Sequence, residues 1–323
     1  MEKSVYKIFR LFFIFYFLAA FNAFSLGNQE KIPENDTISQ EIRQQTANQV
    51  QAVTEPDRAE VVMKALIQAY PQQIERVERR NTDWAVFLRG KWYFFSGGRI
   101  LPQELAVSAA SYSSQPFYNY QAELQAWKNP TPEEAERYSS MSRNRNQNPL
   151  RRSSHFFDDL WRAHNSAESY ERVKTLRFLG HPVTVHSMIL EELSLVEEEI
   201  LAASRRDSQV QAWINNISSL EGWAWRNIAD TQSRSYHSYG LAVDFIMKSL
   251  GGKQTYWLWS SQHRNDWWNI SYNERYHPPS AVIKAFEKYG FIWGGKWLYF
   301  DTMHFEYRPE ILILNGMPPE TRR

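Results

Sequence analysis

Not one of the 323 residues is a cysteine. No disulfide can staple this chain, and no thiolate can act as nucleophile, zinc ligand or lipid-attachment point. The fold must be held by packing, and the sequence supplies the means. Aromatic residues make up 15%, with 13 Trp, 17 Tyr and 19 Phe. Such rings dominate core burial and can also line grooves for sugars or peptides. Any metal centre has to be built from carboxylates and the 8 His. Lys+Arg (37) and Asp+Glu (36) nearly cancel, to a net charge of +1. That leaves no positive excess to hold a polyphosphate, which argues against nucleic acid as a partner. Hydrophobic residues at 43% against 23% charged exclude wholesale disorder, and the length suits two domains.

Lys3, Lys7 and Arg10 precede the apolar run Leu11 to Phe21. A short basic start before a short apolar core is the pattern of a secretory signal, cleaved after Ser25 or Gly27. The run is shorter than the ~20 residues of a membrane-spanning helix, so an uncleaved anchor is the lesser alternative. Either way the remainder is expected outside the cytoplasmic membrane, touching it only through this segment.

Residues 28–58 are polar and Gln/Glu-rich and read as a flexible linker. Residues 59–115 read as a small α+β module. Val61, Val62, Ala65, Leu66 and Ala69 form a helical stripe, and Trp84–Leu88, the turn Arg89-Gly90-Lys91 and Trp92–Phe95 predict a hairpin. Residues 116–154, with Pro130, Pro132 and Pro149, read as an exposed connector. Arg143, Arg145, Arg151 and Arg152 fit its solvated face better than a site for an anionic polymer, since no aromatics are interleaved with them. Residues 155–315 form the second folded region, followed by a tail, 316–323. In it Pro182–Val185 is strand-like, Glu191–Arg206 is a helix, and Val210, Trp213, Ile214 and Ile217 recur at helical spacing. Ser280–Tyr289 is a short helix with Gly290 as its cap, and Phe291–Trp293 and Trp297–Phe300 look like strands around Gly294-Gly295.

The chemistry concentrates in two segments. In Ser235-Tyr-His-Ser-Tyr-Gly-Leu-Ala-Val-Asp-Phe245, Leu241, Val243 and Phe245 alternate with Ala242 and Asp244. That is a strand with one apolar face and Asp244 on the other. His237 lies just before it, where a turn can aim the imidazole at the same face. In Asp301-Thr-Met-His-Phe-Glu-Tyr307, Asp301 and His304 lie three apart. His and Asp suit zinc, and three protein ligands with an open fourth position mark a catalytic site. Asp301 would be a carboxylate beside that position, suited to accept a proton. A histidine beside a strand is more often a satisfied structural residue, and periodicity alone does not separate that reading from a metal site. No H-E-x-x-H helix exists, which excludes a thermolysin-type peptidase.

Ser235 to Asp244 fits S-x-H-x-x-G-x-A-x-D, and Asp301 to His304 fits D/E-x-x-H. Together the two motifs resemble the D-alanyl-D-alanine carboxypeptidase/VanY-type zinc peptidases. That group includes endolysin-like L-alanyl-D-glutamate endopeptidases and shares its metal core with the hedgehog signalling domain. The resemblance covers roughly Val183 to Tyr307 and does not reach residues 59–115. It implies that His237, Asp244 and His304 hold Zn2+, that Asp301 is the catalytic carboxylate, that Arg226 stabilises substrate charge and that Ser235 helps hold a substrate carboxylate. The sequence departs from the pattern at Met303, where the VanX/VanY branch has Trp, and at Trp225-Arg226-Asn227 in place of Tyr-Arg-Ser. Trp257, Trp259, Trp267 and Trp268 lie between the motifs and read as core first, groove wall second. The expected fold is α+β: a small antiparallel sheet carrying the zinc site among helices, plus the smaller N-terminal module. The expected function is hydrolysis of peptidoglycan stem peptides, as a D,D-carboxypeptidase or an L-Ala-D-Glu endopeptidase. The alternative is a non-catalytic peptidoglycan-binding envelope protein that retains the fold.

Overall fold

Apolar side chains three and four apart shape the first element. In a computed structural model, which describes residues 55–80, 82–144, 147 and 149–320, Glu55–Ala69 is helix α1 and buries Ala59, Val62, Met63 and Leu66. The expected signal segment, most of the linker and the last three residues of the tail lie outside the described residues, as does Arg145.

Four antiparallel strands follow in meander order, β1 (Ile74–Arg80), β2 (Asp83–Leu88), β3 (Lys91–Ser96) and β4 (Arg99–Pro102). The expected hairpin is β2–β3. Its turn is two residues rather than three: Arg89 and Gly90 both take positive φ, 51° and 77°, and Lys91 already pairs with Leu88. Such a turn matches the natural twist of a tight hairpin. Strand β1 carries no apolar alternation because it is an edge, with Ile74 its one fully buried residue.

The stretch 116–154 is not a solvated connector. It buries Phe117 and Tyr120 and forms helix α2 (Pro132–Asn144), whose Tyr138 is buried. Helices α3 (His155–Trp161) and α4 (Ser166–Tyr170) lead to the hairpin β5 (Val173–Phe178) and β6 (His181–His186). Then come α5 (Leu190–Ser204), α6 (Ser208–Asn215), β7 (Ile217–Glu221), β8 (Ala242–Met247), α7 (Trp257–Ser261), α8 (Ser280–Lys288), β9 (Phe291–Trp293), β10 (His304–Tyr307) and α9 (Pro309–Leu314). The helical spacing through Val210–Leu220 breaks after Asn215, and Ile217 and Leu220 are buried from a strand instead. Trp297–Phe300 is not a strand. It passes between two aromatic clusters, with Trp297 against His304 and Phe300 packed with Trp257 and Trp267.

The sheet that matters for chemistry has the order β7-β8-β10-β9 and is antiparallel throughout. Its inner face is a stack of rings: Phe305 lies on Phe286 with centroids 4.0 Å apart, and Phe245 packs edge-on against both. Trp257, Trp267 and Trp268 are core residues of a second cluster, whereas Trp259 is 42% exposed. Among the described residues no helix is long and apolar enough to cross a membrane.

Among the described residues, 59–115 share the main core with the segments that follow them. One contiguous cluster runs from Ala59 through Tyr93, Trp161 and Phe245 to Leu312. Tyr70 sits edge-on to Trp161 at 5.2 Å, and Tyr93 hydrogen-bonds Asp159. The boundary near residue 116 is a change of composition and not the end of a core. Deleting residues 59–115 is therefore expected to expose buried rings and to give an insoluble chain or one that melts at a much lower temperature, measurable by thermal denaturation. A deletion variant that melts with the intact chain would mean the two parts fold independently.

Candidate metal centre

Strands β8 and β10 pair directly, with Asp244 opposite His304 and Val243 opposite Phe305. Side chains alternate across a strand, so Val243 and Phe305 enter the ring stack while Asp244, His304 and Glu306 share the other face. His237 comes from the 3-10 turn Tyr236–Tyr239, capped by Ser235, whose hydroxyl oxygen accepts from the His237 amide at 3.3 Å.

Gly240 ends that turn with φ 71° and lets the chain press on β6. A Cβ there would lie 2.7 Å from the His186 amide nitrogen and 2.8 Å from Val173 Cγ1. Gly240→Ala combines a left-handed backbone with that overlap. Strain of this kind costs about 1–3 kcal/mol, so a clear loss in denaturant midpoint is expected, together with weaker metal binding as His237 shifts. An unchanged midpoint would show that the turn adapts freely.

The three candidate ligands converge. His237 Nε2 is 3.1 Å from Asp244 Oδ2 and 3.3 Å from His304 Nδ1, and His304 Nδ1 is 2.8 Å from Asp244 Oδ1. One donor atom from each lies within 4.8 Å of the others. Each imidazole is also held from behind. His237 Nδ1 lies 2.6 Å from the Gly222 carbonyl oxygen, and His304 Nε2 lies 3.1 Å from Glu306 Oε2. Both outer partners are acceptors, so with a cation at the inner nitrogens the outer ones would carry the protons and the inner ones would present lone pairs. Gly222 is held close to the neighbouring hairpin, where a Cβ would sit 2.1 Å from the Thr184 carbonyl oxygen.

Two inner imidazole nitrogens and a carboxylate thus face one another. Three acceptors repel unless a cation lies among them, and this donor set fits a divalent transition metal. Without metal, a proton takes that place. Burial opposes charge on His304, but Asp244 and then Glu306 outweigh it and push the imidazole up to about 10. Burial likewise disfavours the Asp244 carboxylate, yet His237 and His304 hold it well below its ordinary range.

Asp301 stands beside this group. Its backbone bridges Tyr256, and its amide donates to the Gly294 carbonyl at 3.1 Å. Burial first, and then the Asp244 charge, push its carboxyl up to about 7, with His304 and more weakly Arg226 opposing the rise. Its Oδ1 is buried with no hydrogen-bond partner among the described residues. Arg226 presents an exposed side chain from a pinned backbone: its amide donates to Ser238 Oγ at 2.9 Å, and its carbonyl accepts from Ser238 Oγ at 2.6 Å. Ser235 is buried under the His237 turn.

Three of these residues therefore converge, Asp244 and His304 from paired strands and His237 from the turn before β8, with Ser235 capping that turn and Asp301 beside them. Residues 229–307 match the D-alanyl-D-alanine carboxypeptidase family model. This carboxypeptidase match takes in Ser235, His237, Asp244, Asp301 and His304 and begins after Arg226. A second model, described as a domain of unknown function, matches residues 62–117. No curated protein and no solved structure matches the chain.

Two features of the centre are not among the residues the sequence singles out. Glu306 is legible in principle, because the two-residue strand period puts it on the His304 face. The Gly222 carbonyl is not, because a glycine 15 positions before His237 carries no side-chain signal.

Proposed function

We propose that the protein is an extracytoplasmic zinc metallopeptidase that hydrolyses peptidoglycan stem peptides. The observation that carries the reading is the convergence of two back-anchored imidazoles and one carboxylate inside the carboxypeptidase-matched segment. A zinc ion held by His237, Asp244 and His304 would supply Lewis-acid activation of the scissile carbonyl and of the attacking water. Asp301 accepts the proton of that water and returns it to the leaving amine; its raised affinity for a proton and its unpartnered oxygen suit this exchange. Arg226, exposed at the rim, anchors a substrate carboxylate or the charge that develops on the carbonyl oxygen. Ser235 has its hydroxyl oxygen engaged by the His237 amide, so its contribution to a substrate carboxylate is the hydroxyl hydrogen. The basic start and the apolar run Leu11 to Phe21 accord with a substrate outside the membrane.

Digestion of purified sacculi by the zinc-loaded protein, with mass spectrometry of the fragments, tests this. Release of terminal D-Ala identifies a D,D-carboxypeptidase, and stems split between L-Ala and D-Glu identify an endopeptidase. Sacculi left unaltered would contradict the reading.

A further inference from the structure

Behind His304 runs a buried file of charged groups that the reaction above does not use. Glu306 Oε2 faces His304 Nε2 at 3.1 Å, and Arg308 Nη1 donates to Glu306 Oε1 at 3.2 Å. Arg308 Nε donates to Glu310 Oε1, and the Tyr70 hydroxyl donates to Glu310 Oε2. Arg308 and Glu310 are 0% exposed, Tyr70 2% and Glu306 8%. Three of the four lie on or beside β10 and α9. Tyr70 follows α1, 240 positions from its partner.

Burying such a file is a poor way to gain stability, since well-packed apolar residues do as well or better. Its geometry points to another use. A carboxylate accepting the outer N–H of a ligand histidine fixes the tautomer and the ring orientation, and raises the ring's basicity. Glu306 can do this only while it is itself held, and Arg308 is its hydrogen-bonded support. The Arg308 guanidinium also lies 4.7 Å from the ring of Tyr236, next in sequence to His237, so it touches both ligand-bearing segments. One guanidinium serves two carboxylates, and its Nη2 has no hydrogen-bond partner among the described residues. Glu310 and Glu306 hold the guanidinium from two sides, each on its own N–H group. The Tyr70 hydroxyl gives Glu310 a second donor and so fixes the carboxylate that anchors the guanidinium.

We propose that Tyr70 is a positioning residue for His304. By holding Glu310 it keeps Arg308 and Glu306 in line, and so keeps the Nδ1 lone pair of His304 aimed at Asp244 and His237. The segment matched to a domain of unknown function thereby supplies the far end of the support behind a metal ligand. This inference rests on the proposed metal centre.

The test is zinc affinity, measured on the full chain by competition with a chromophoric chelator, alongside the visible spectrum of the cobalt-substituted protein. Tyr70→Phe keeps the ring against Trp161 and removes only the hydroxyl. Loss of an outer partner of a metal-bound histidine costs about 10–100-fold in affinity. The expected loss is near the upper end of that range for Glu306→Ala and near the lower end for Tyr70→Phe and Glu310→Gln, with a shifted cobalt spectrum in each. Val62→Ala, which thins the same α1 packing without touching the file, is expected to lower thermal stability and leave affinity unchanged. Should Tyr70→Phe fail to fold, Glu310→Gln decides the outcome alone. A wild type that binds zinc, with Tyr70→Phe or its substitute binding equally well, overturns the file and leaves the metal centre standing. A wild type that binds no zinc overturns the metal centre and the file with it.

Discussion

Asp301→Asn is expected to retain bound metal and to hydrolyse stem peptide about 10²–10⁴-fold more slowly, the range typical of losing a general base. The substitution is nearly isosteric. Asn cannot take a proton from an attacking water at neutral pH, so only the proton-transfer role is removed. Folding is expected to survive, because the native carboxylate is already disfavoured there by burial and by Asp244; a neutral amide relieves both. Rate and metal content must be read together. Wild-type turnover in the variant would remove Asp301 from the proton path, and loss of metal would make it a ligand.

The larger structural effect is expected from His304→Ala. The imidazole contacts Asp244 on one side and Glu306 on the other. Removing it leaves the buried Glu306 and the half-buried Asp244 each short of a partner, and breaking a buried pair this way costs about 3–5 kcal/mol. The variant should lose its metal, all metal-dependent hydrolysis and a large part of its stability. His237→Ala should lose the metal with a smaller penalty, because its outer nitrogen meets only a neutral carbonyl. Elemental analysis and urea denaturation measure the two effects separately. Undiminished metal in both variants would exclude these histidines as ligands.

The centre is legible in the sequence because strand periodicity is a strong local signal. Leu241, Val243 and Phe245 place Asp244 on the open face, whereas the juxtaposition of the Asp301–His304 segment is implied only by the resemblance and is seen in the pairing of β8 with β10. What is not legible depends on distant partners. Tyr70 and Glu310 meet across 240 positions, and neither lies in a motif. The charged edge strand β1 offers no alternation to read, and the rings of Trp297–Phe300 imitate a strand although they fill separate pockets. The Pro-rich stretch 116–154 looks solvated, yet Phe117, Tyr120 and Tyr138 anchor it to the core. Proline and charge report local backbone preference, whereas single buried rings decide where such a stretch lies.

The central claim is metal-dependent cleavage of stem peptide, and the most direct measurement uses a soluble stem peptide with the purified protein, first stripped of metal and then reconstituted with zinc. The account predicts no cleavage by the stripped protein, and cleavage restored by about one zinc per chain bound at His237, Asp244 and His304. Cleavage that persists in the stripped protein, or none after zinc is bound, would contradict it.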